Sequence, residues 1–336
     1  MTTTAATSTS SGATTDLAIE VWGLHRRYGR GASAYHAVRG VDLDVRAGAV
    51  TALLGTNGAG KTSTLEVIEG LASPSEGTVR VLGLDPVADR DAVRARMGVL
   101  LQRSGFPGDL TVREVLTMWH GTLRAPMPVD DVLDLVSLGE RADVRVVSLS
   151  GGEQRRLDLG CTVMGDPEVV VLDEPTTGLD VERRRDVWDL VLRLRERGRA
   201  VLFSTHHLEE VEELADHVAV MHAGQIARRG TLAEIVEGHP STVRFATPLD
   251  ATGTALDLPP LLGEVSSRGP HTTVRTHDVQ AALHRLLVWA DEHAVRLDDL
   301  RAETASLESV FLEIAGRTTD PTSTDTPTET TTEESR

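Results

Sequence analysis

Gly55-Thr56-Asn57-Gly58-Ala59-Gly60-Lys61-Thr62 is the stretch that decides the fold. It matches the phosphate-binding loop pattern G-x-x-x-x-G-K-[ST]. Lys61 is the only lysine in a chain that otherwise carries its positive charge on arginine. A compact ammonium on a flexible stem can follow a phosphate chain, which a planar guanidinium cannot. With average glycine usage, the pattern arises by accident in a chain of this length about once in a hundred. Glycines at 55, 58 and 60 let backbone amides turn inward, and the helix that follows offers its N-terminal field to an anion. Lys61 is placed to reach the β- and γ-phosphates of a nucleoside triphosphate, Thr62 to ligate Mg²⁺, and Ser63 to add a phosphate hydrogen bond.

The flanks supply the context this motif needs. Residues 49–54 read as a buried strand and 62–71 as a helix. A second apolar strand, 169–172, ends in Asp173-Glu174-Pro175. An aspartate there can hold Mg²⁺, and the next carboxylate can orient or deprotonate a water. A helix over 181–197 follows, with Val187, Leu190, Val191 and Leu194 at helical spacing, then a third strand at 201–204 and a helix carrying Leu208, Val211 and Leu214. Buried strands alternating with helices predict a parallel α/β sheet. Residues 17–22 and 41–45 read as further strands, and 110–164 as a helical insert. A boundary falls at 237–241. Beyond it short strands (243–246, 272–275, 296–300) and two helices predict a small α+β appendage. The first helix is capped by Asp278 and carries Val279, Leu283, Leu286, Leu287 and Ala290 on one face; the second spans 307–314.

Hydrophobic content of 40% and charged content of 25% are those of an ordinary globular protein. The net charge of −17 argues against non-specific nucleic-acid binding. Cys161 alone cannot form an internal disulfide, which is consistent with a reducing cytosol, and it reads as a small helix residue. No apolar run approaches the roughly 18 residues of a membrane span. Residues 1–15 lack the pattern of a signal peptide. The Thr/Ser-rich ends, 1–16 and 318–336 (the latter acidic), cannot offset the entropy of ordering and are expected to be disordered.

Leu149-Ser150-Gly151-Gly152-Glu153-Gln154-Arg155-Arg156, just before Asp173, resembles the signature motif of the ATP-binding-cassette (ABC) ATPases. The resemblance covers about 17–236 and implies a P-loop NTPase parallel-sheet core with an antiparallel β subdomain and the helical insert. Domains of 17–238 and 239–317 are expected. In that family the serine and glycine amides, here Ser150, Gly151 and Gly152, grip the γ-phosphate bound by the opposite subunit. Where members often read LSGGQ, Glu153 stands fifth. The resemblance further implies that Gln102 senses Mg²⁺ and the water and touches the membrane partner. Glu174 is the implied catalytic carboxylate and His206 the switch that contacts the γ-phosphate. Asp180, in Thr177-Gly178-Leu179-Asp180, belongs to the loop crossing the dimer interface. Tyr28 matches the aromatic that stacks on adenine, the alternative being a packed strand-edge tyrosine. His206 and His207 lack further ligands at useful spacing, so no zinc is expected.

Each signature motif completes the partner's site, so the resemblance implies a dimer of two copies with ATP and Mg²⁺ between them. The segment from Ser306 to Arg317, the run Thr205-His206-His207-Leu208-Glu209-Glu210-Val211-Glu212, and Met221-His222-Ala223-Gly224-Gln225-Ile226 are similar to the drug-exporter (daunorubicin-resistance-like) group. That implies an exporter ATPase on the inner face of the cell membrane, paired with a separate multi-helix permease. An importer ATPase and a soluble ABC ATPase acting on ribosomes or DNA are the alternatives. The latter usually carry paired cassettes, coiled coils or basic arms, none of which is visible.

Overall fold

The computed structural model describes residues 17–31, 34–102, 105–250 and 253–316. The two ends expected to be disordered lie outside these residues. Among them the chain divides into two compact units, one up to Glu237 and one from Gly238.

Alternating burial builds the first sheet. β1 (Leu17–Tyr28) buries Ile19, Val21 and Leu24, and β2 (Tyr35–Arg46) buries Val38, Val41, Leu43 and Val45. Both strands run further than the expected 17–22 and 41–45. The extra residues are mostly polar, so their period-2 signal fades while the ladder continues to Tyr28 opposite Tyr35. β3 (Val50–Gly55) is buried at every position, as a strand covered on both faces must be. It leads into α1 (Lys61–Ile68), and β4 (Glu76–Val81) then returns to pair antiparallel with β1, giving the order β2-β1-β4.

α2 (Arg90–Arg94) precedes β5 (Met97–Leu100). The helical insert follows as α3 (Val112–His120), α4 (Val129–Leu135) and α5 (Gly151–Val163). Thr111 and Ser150 open α3 and α5 with reciprocal capping boxes to Glu114 and Glu153. The sheet resumes with β6 (Val169–Asp173), α6 (Val181–Glu196), β7 (Ala200–Thr205), α7 (Leu208–Leu214) and β8 (His217–His222). β9 (Gln225–Gly230) and α8 (Leu232–Val236) close the unit. The six strands lie in the order β5-β6-β7-β3-β8-β9, all parallel except the β8–β9 pair. This order sets β7 between the strand feeding the glycine loop and the strand ending in Asp173. All three present their C-terminal ends on one edge, where open α/β sheets bind ligands.

The second unit is a four-stranded antiparallel sheet with two helices. β10 (Ser241–Ala246), β11 (Glu264–Arg268), β12 (His271–Thr276) and β13 (Arg301–Glu303) lie in the order β11-β12-β10-β13, with α9 (Val279–Glu292) and α10 (Leu307–Gly316). Its core gathers Val243, Phe245, Val274, Leu286, Trp289 and Ala290. Two expectations are corrected here. The strand expected at 296–300 forms at Arg301–Glu303 instead: Asp299 sits at φ +54°, outside the β region, while Leu297 and Leu300 pack against the core. On α9, Leu287 is 49% exposed, because it lies one residue, about 100°, beyond the buried row of Ala282, Leu286, Trp289 and Ala290. Asp278 caps α9 as expected, accepting from the Ala281 amide.

Phe245 is fully buried in this small core. Phe245→Ala will destabilise the second unit by about 3–5 kcal/mol, read as a lowered calorimetric transition of the full chain. An unshifted thermogram contradicts the core assignment. In the first unit, Glu69 at the end of α1 is 3% exposed, and one of its oxygens has no hydrogen-bond partner. Burial, then the charges of Asp173 and Glu66, push its carboxyl up to about 8. The folded chain thus keeps a proton that the unfolded chain loses near 4.5. Stability therefore falls as pH rises between these values and levels off above, by about 3 kcal/mol from pH 5 to 8. Glu69→Gln will remove that part of the pH dependence in denaturant titrations; an unchanged slope rejects it.

Candidate functional site

The turn from β3 into α1 is closed by Gly60 at φ +107°, where an added Cβ would lie 2.5 Å from the Ala37 carbonyl oxygen. Only glycine fits there. Lys61, 5% exposed, donates from Nζ to the carbonyls of Gly55 (2.8 Å) and Thr56 (3.2 Å) and lies 3.8 Å from Glu174 Oε1. Burial lowers its pKa, while Glu174 and Asp173 pull the other way. Ala59 is buried and its carbonyl accepts from the Gly224 amide, which pins the loop to the β8–β9 turn.

Asp173 ends β6. The Thr62 hydroxyl donates to its Oδ2 at 3.0 Å, and the hydroxyl of Ser204, its register partner on β7, donates to Oδ1. Glu174 follows at φ +46°, a left-handed conformation uncommon outside glycine. Its amide donates to Ser204 Oγ at 3.1 Å. Its Oε2 accepts from the Thr177 hydroxyl at 3.1 Å, and Oε1 lies 3.2 Å from His206 Nδ1. Burial pushes the Glu174 carboxyl up, but the Thr177 and His206 hydrogen bonds, with the charges of His206 and Lys61, hold it below the usual range. The residue is therefore a carboxylate at neutral pH, set against a lysine and an imidazole.

Of these side chains, Lys61, Thr62 and Glu174 line a cleft of about 330 Å³, together with Tyr35, Ala37, Asn57, Gly58, Gly60, Ser63 and Gln102. Gln102 is exposed at its edge. Of the expected site residues, Tyr28, Gly55, Ala59, Asp173 and His206 are not among the lining residues, though Asp173 and His206 adjoin the cleft through Thr62 and Glu174, and neither are Ser150, Gly151, Gly152 and Asp180. Ser150 caps α5, its Oγ accepting from the Glu153 amide at 3.3 Å while Glu153 Oε2 accepts from the Ser150 amide at 2.8 Å. Asp180 caps α6 through the Arg183 amide at 2.9 Å. One chain thus holds two separate sets, a polar cleft and a capped helix end.

Tyr28 is the last residue of β1, the strand-edge position given above as the alternative. Its hydroxyl reaches Ser63 Oγ (3.1 Å) and Glu66 Oε2 (2.9 Å), and the Arg26 guanidinium lies 4.7 Å over its ring. Tyr35, which the sequence reading passed over, lines the cleft and is 59% exposed. The signal for it is its cross-strand pairing with Tyr28, visible only once the register is known. Arg155 was also passed over and is buried behind the Asp173–Glu174 turn. The His206 and His207 rings stand 4.1 Å apart, and no group of three metal-ligating side chains occurs among the described residues. Cys161 is buried in α5, and burial pushes its thiol up to about 12, which makes it inert.

A family model for ABC transporters matches residues 38–177, and one for the C-terminal domain of ABC transporter domain-containing proteins matches 241–306. The daunorubicin resistance ATP-binding protein DrrA3 of Streptomyces coeruleorubidus is 35% identical over 310 residues, 90% of this chain and 96% of that one. A Nod factor export ATP-binding protein I from Ralstonia nicotianae is 34% identical, over 91% and 95% of the two chains. Among solved structures, a dimeric ATP-binding cassette in a post-hydrolysis state with ADP and Pi superposes with a TM-score of 0.58 at 23% identity. It covers 64% of this chain and 98% of that one, which bears on the fold of the first unit. On this sequence likeness across nearly its whole length, the chain belongs to the ABC transporter family, as one of its ATP-hydrolysing ATP-binding proteins.

Proposed function

We propose that this chain is the ATPase motor of an exporter, working as a pair of copies on a separate multi-helix permease at the inner face of the cell membrane. The observation that carries the reading is the division of the site. Lys61, Thr62 and Glu174 line one cleft, with Asp173 bonded to Thr62 and His206 set against Glu174, while the helix end capped by Ser150 is not part of that lining. A second copy can bring its Ser150, Gly151 and Gly152 against the γ-phosphate, and its Asp180 to the interface. The lining of the cleft is then complete on all sides.

Within the cleft, Lys61 leaves the Gly55 and Thr56 carbonyls for the β- and γ-phosphates. The amides of Asn57, Gly58 and Gly60 face the phosphate chain, that of Ala59 being held by the Thr56 carbonyl, and the Thr62 and Ser63 hydroxyls flank it. Tyr28 stacks on adenine. The Thr62 hydroxyl and the Asp173 carboxylate, already in contact at 3.0 Å, are hard oxygen donors suited to Mg²⁺, with Gln102 at the cleft edge as a third. Mg²⁺ held by these residues would neutralise charge on the phosphate chain. Glu174, an ionised carboxylate held by Thr177 and His206, takes the proton of the attacking water. His206 orients that carboxylate through Nδ1 and contacts the γ-phosphate.

Export is supported by the relatives, which are named as daunorubicin resistance and Nod factor export ATP-binding proteins. No helix among the described residues is long and apolar enough to cross a membrane. The −17 net charge does not suit a nucleic-acid partner.

Two measurements test this. Lys61→Ala will raise the ATP dissociation constant by at least about tenfold, in line with the loss of a charge-assisted contact; an unchanged constant rejects the phosphate loop. Glu174→Gln will keep ATP affinity and lose turnover by about 100-fold or more, accumulating an ATP-bound dimer. Pulled from solubilised membranes with Mg-ATP, that variant will bring a multi-helix permease. Ribosomes or DNA in its place overturn the transport reading and leave the ATPase chemistry standing.

A further inference from the structure

We infer that Arg155 is the positioning residue that sets the backbone turn carrying Glu174 and ties it to the Gln102 loop and to the helix opened by Ser150. The inference rests on Glu174 being the base that activates water.

Arg155 lies on α5, five residues after Ser150, and is buried. Its NH2 donates to the carbonyls of Asp173 (2.7 Å) and Glu174 (3.0 Å), and its Nε to that of Pro175 (3.1 Å). Its NH1 donates to the carbonyl of Leu101 (2.6 Å), the residue before Gln102. One guanidinium therefore gathers three consecutive carbonyls and a fourth from another segment. In extended backbone, successive carbonyls point to opposite sides and cannot converge on a single group. They converge here because Glu174 is left-handed, at φ +46°. The same kink that forms the carbonyl cup turns the Glu174 side chain toward Lys61 and His206.

The two features depend on each other. Three buried carbonyl dipoles aimed at one point repel without a cation between them, and each is costly to leave unpaired. A planar fork with five donors satisfies four acceptors at once, whereas a lysine ammonium has three donors on a single atom. Without the guanidinium, the turn relaxes toward the ordinary β region and the carboxylate leaves its place. The bond to Leu101 puts the start of the glutamine loop on the same group. Movement of α5, whose N-terminus faces the partner copy in the proposed dimer, is thereby passed to the backbone of Glu174 and to Gln102. Arg155 touches neither ATP nor water in this account.

The test uses the full chain with Arg155→Lys and Arg155→Gln, each also in the Glu174→Gln background. ATP affinity, steady-state kcat and KM, and single-turnover hydrolysis are measured. Arg155→Lys is expected to lower kcat by about 100-fold, as a misplaced catalytic group does, with KM and the ATP dissociation constant within about twofold of wild type. Arg155→Gln is expected to fall at least as far. In the Glu174→Gln background, Arg155→Lys is expected to change the residual single-turnover rate by less than about threefold, since two residues acting as one unit are non-additive. Equal losses in both backgrounds overturn the proposal, because Arg155 would then act elsewhere. So does an unchanged kcat, or a loss of ATP binding or folding in both variants, which would make it a support of the fold. Wild-type turnover by Glu174→Gln alone would instead reject the base assignment on which the inference rests.

Discussion

Asp173 takes one hydroxyl hydrogen bond from each side, Thr62 from the glycine loop and Ser204 from β7. Everything in the cleft is referred to that carboxylate. β3 and β6 are not neighbours, because β7 runs between them, so no ladder joins the phosphate loop to the strand that bears the acids. The carboxylate crosses the gap, with Ser204 as the intermediate. Ser204 Oγ also accepts from the Glu174 amide at 3.1 Å, so one serine places both acidic residues. The parallel sheet makes this possible: strands buried on both faces hold their C-terminal ends fixed, and polar groups can be mounted there at little cost in mobility.

The cleft concentrates charge that an apolar interior would reject. Lys61, Asp173, Glu174 and Arg155 are all buried, and each is matched by carbonyls, hydroxyls or an opposite charge. An isolated buried charge costs several kcal/mol, so such a cluster persists only while every member is paired. Lys61 spends its ammonium on the Gly55 and Thr56 carbonyls and on the field of Glu174. A phosphate chain is a better partner than any of these, and taking it relieves the desolvation that lowers the lysine's pKa. Glu69 departs from this pattern, a carboxyl near the same charges with one oxygen unpaired, and it meets the cost by staying protonated.

Much of this was legible in the chain because its determinants are local. Gly55 through Thr62 between a strand and a helix, Asp173 and Glu174 at the end of an apolar run, and Ser150 three residues before Glu153 each declare their geometry within a few positions. What was not legible depends on contacts that residue types do not encode. Tyr35 reaches the cleft through the β1–β2 register, and polar residues obscure that register at its open end. The acceptors of Arg155 are backbone carbonyls, which every residue possesses and no pattern marks. In the second unit, the left-handed Asp299 moved a strand from 296–300 to Arg301–Glu303, and alternation cannot reveal a single positive φ.

Glu153 shows how a departure from the familiar signature sequence is absorbed. A glutamate in the first turn of α5 sets a negative charge at the helix end proposed to capture a phosphate, and that charge opposes the helix field. Its carboxylate is turned back on the chain: Oε2 accepts from the Ser150 amide and Oε1 from Arg141 Nε, each at 2.8 Å. The Ser150 amide bond, opposed by partial burial and aided by Arg141, holds the carboxyl below its usual range, so the charge is present at neutral pH. Arg141 then decides its effect. It comes from the 3₁₀ turn Gly139–Arg141 and offsets the charge locally, so the field at Gly151 and Gly152 remains that of a helix N-terminus. A glutamine would cap the helix with no such counter-ion. The glutamate caps it through a stronger, charge-assisted bond and depends on Arg141 in return.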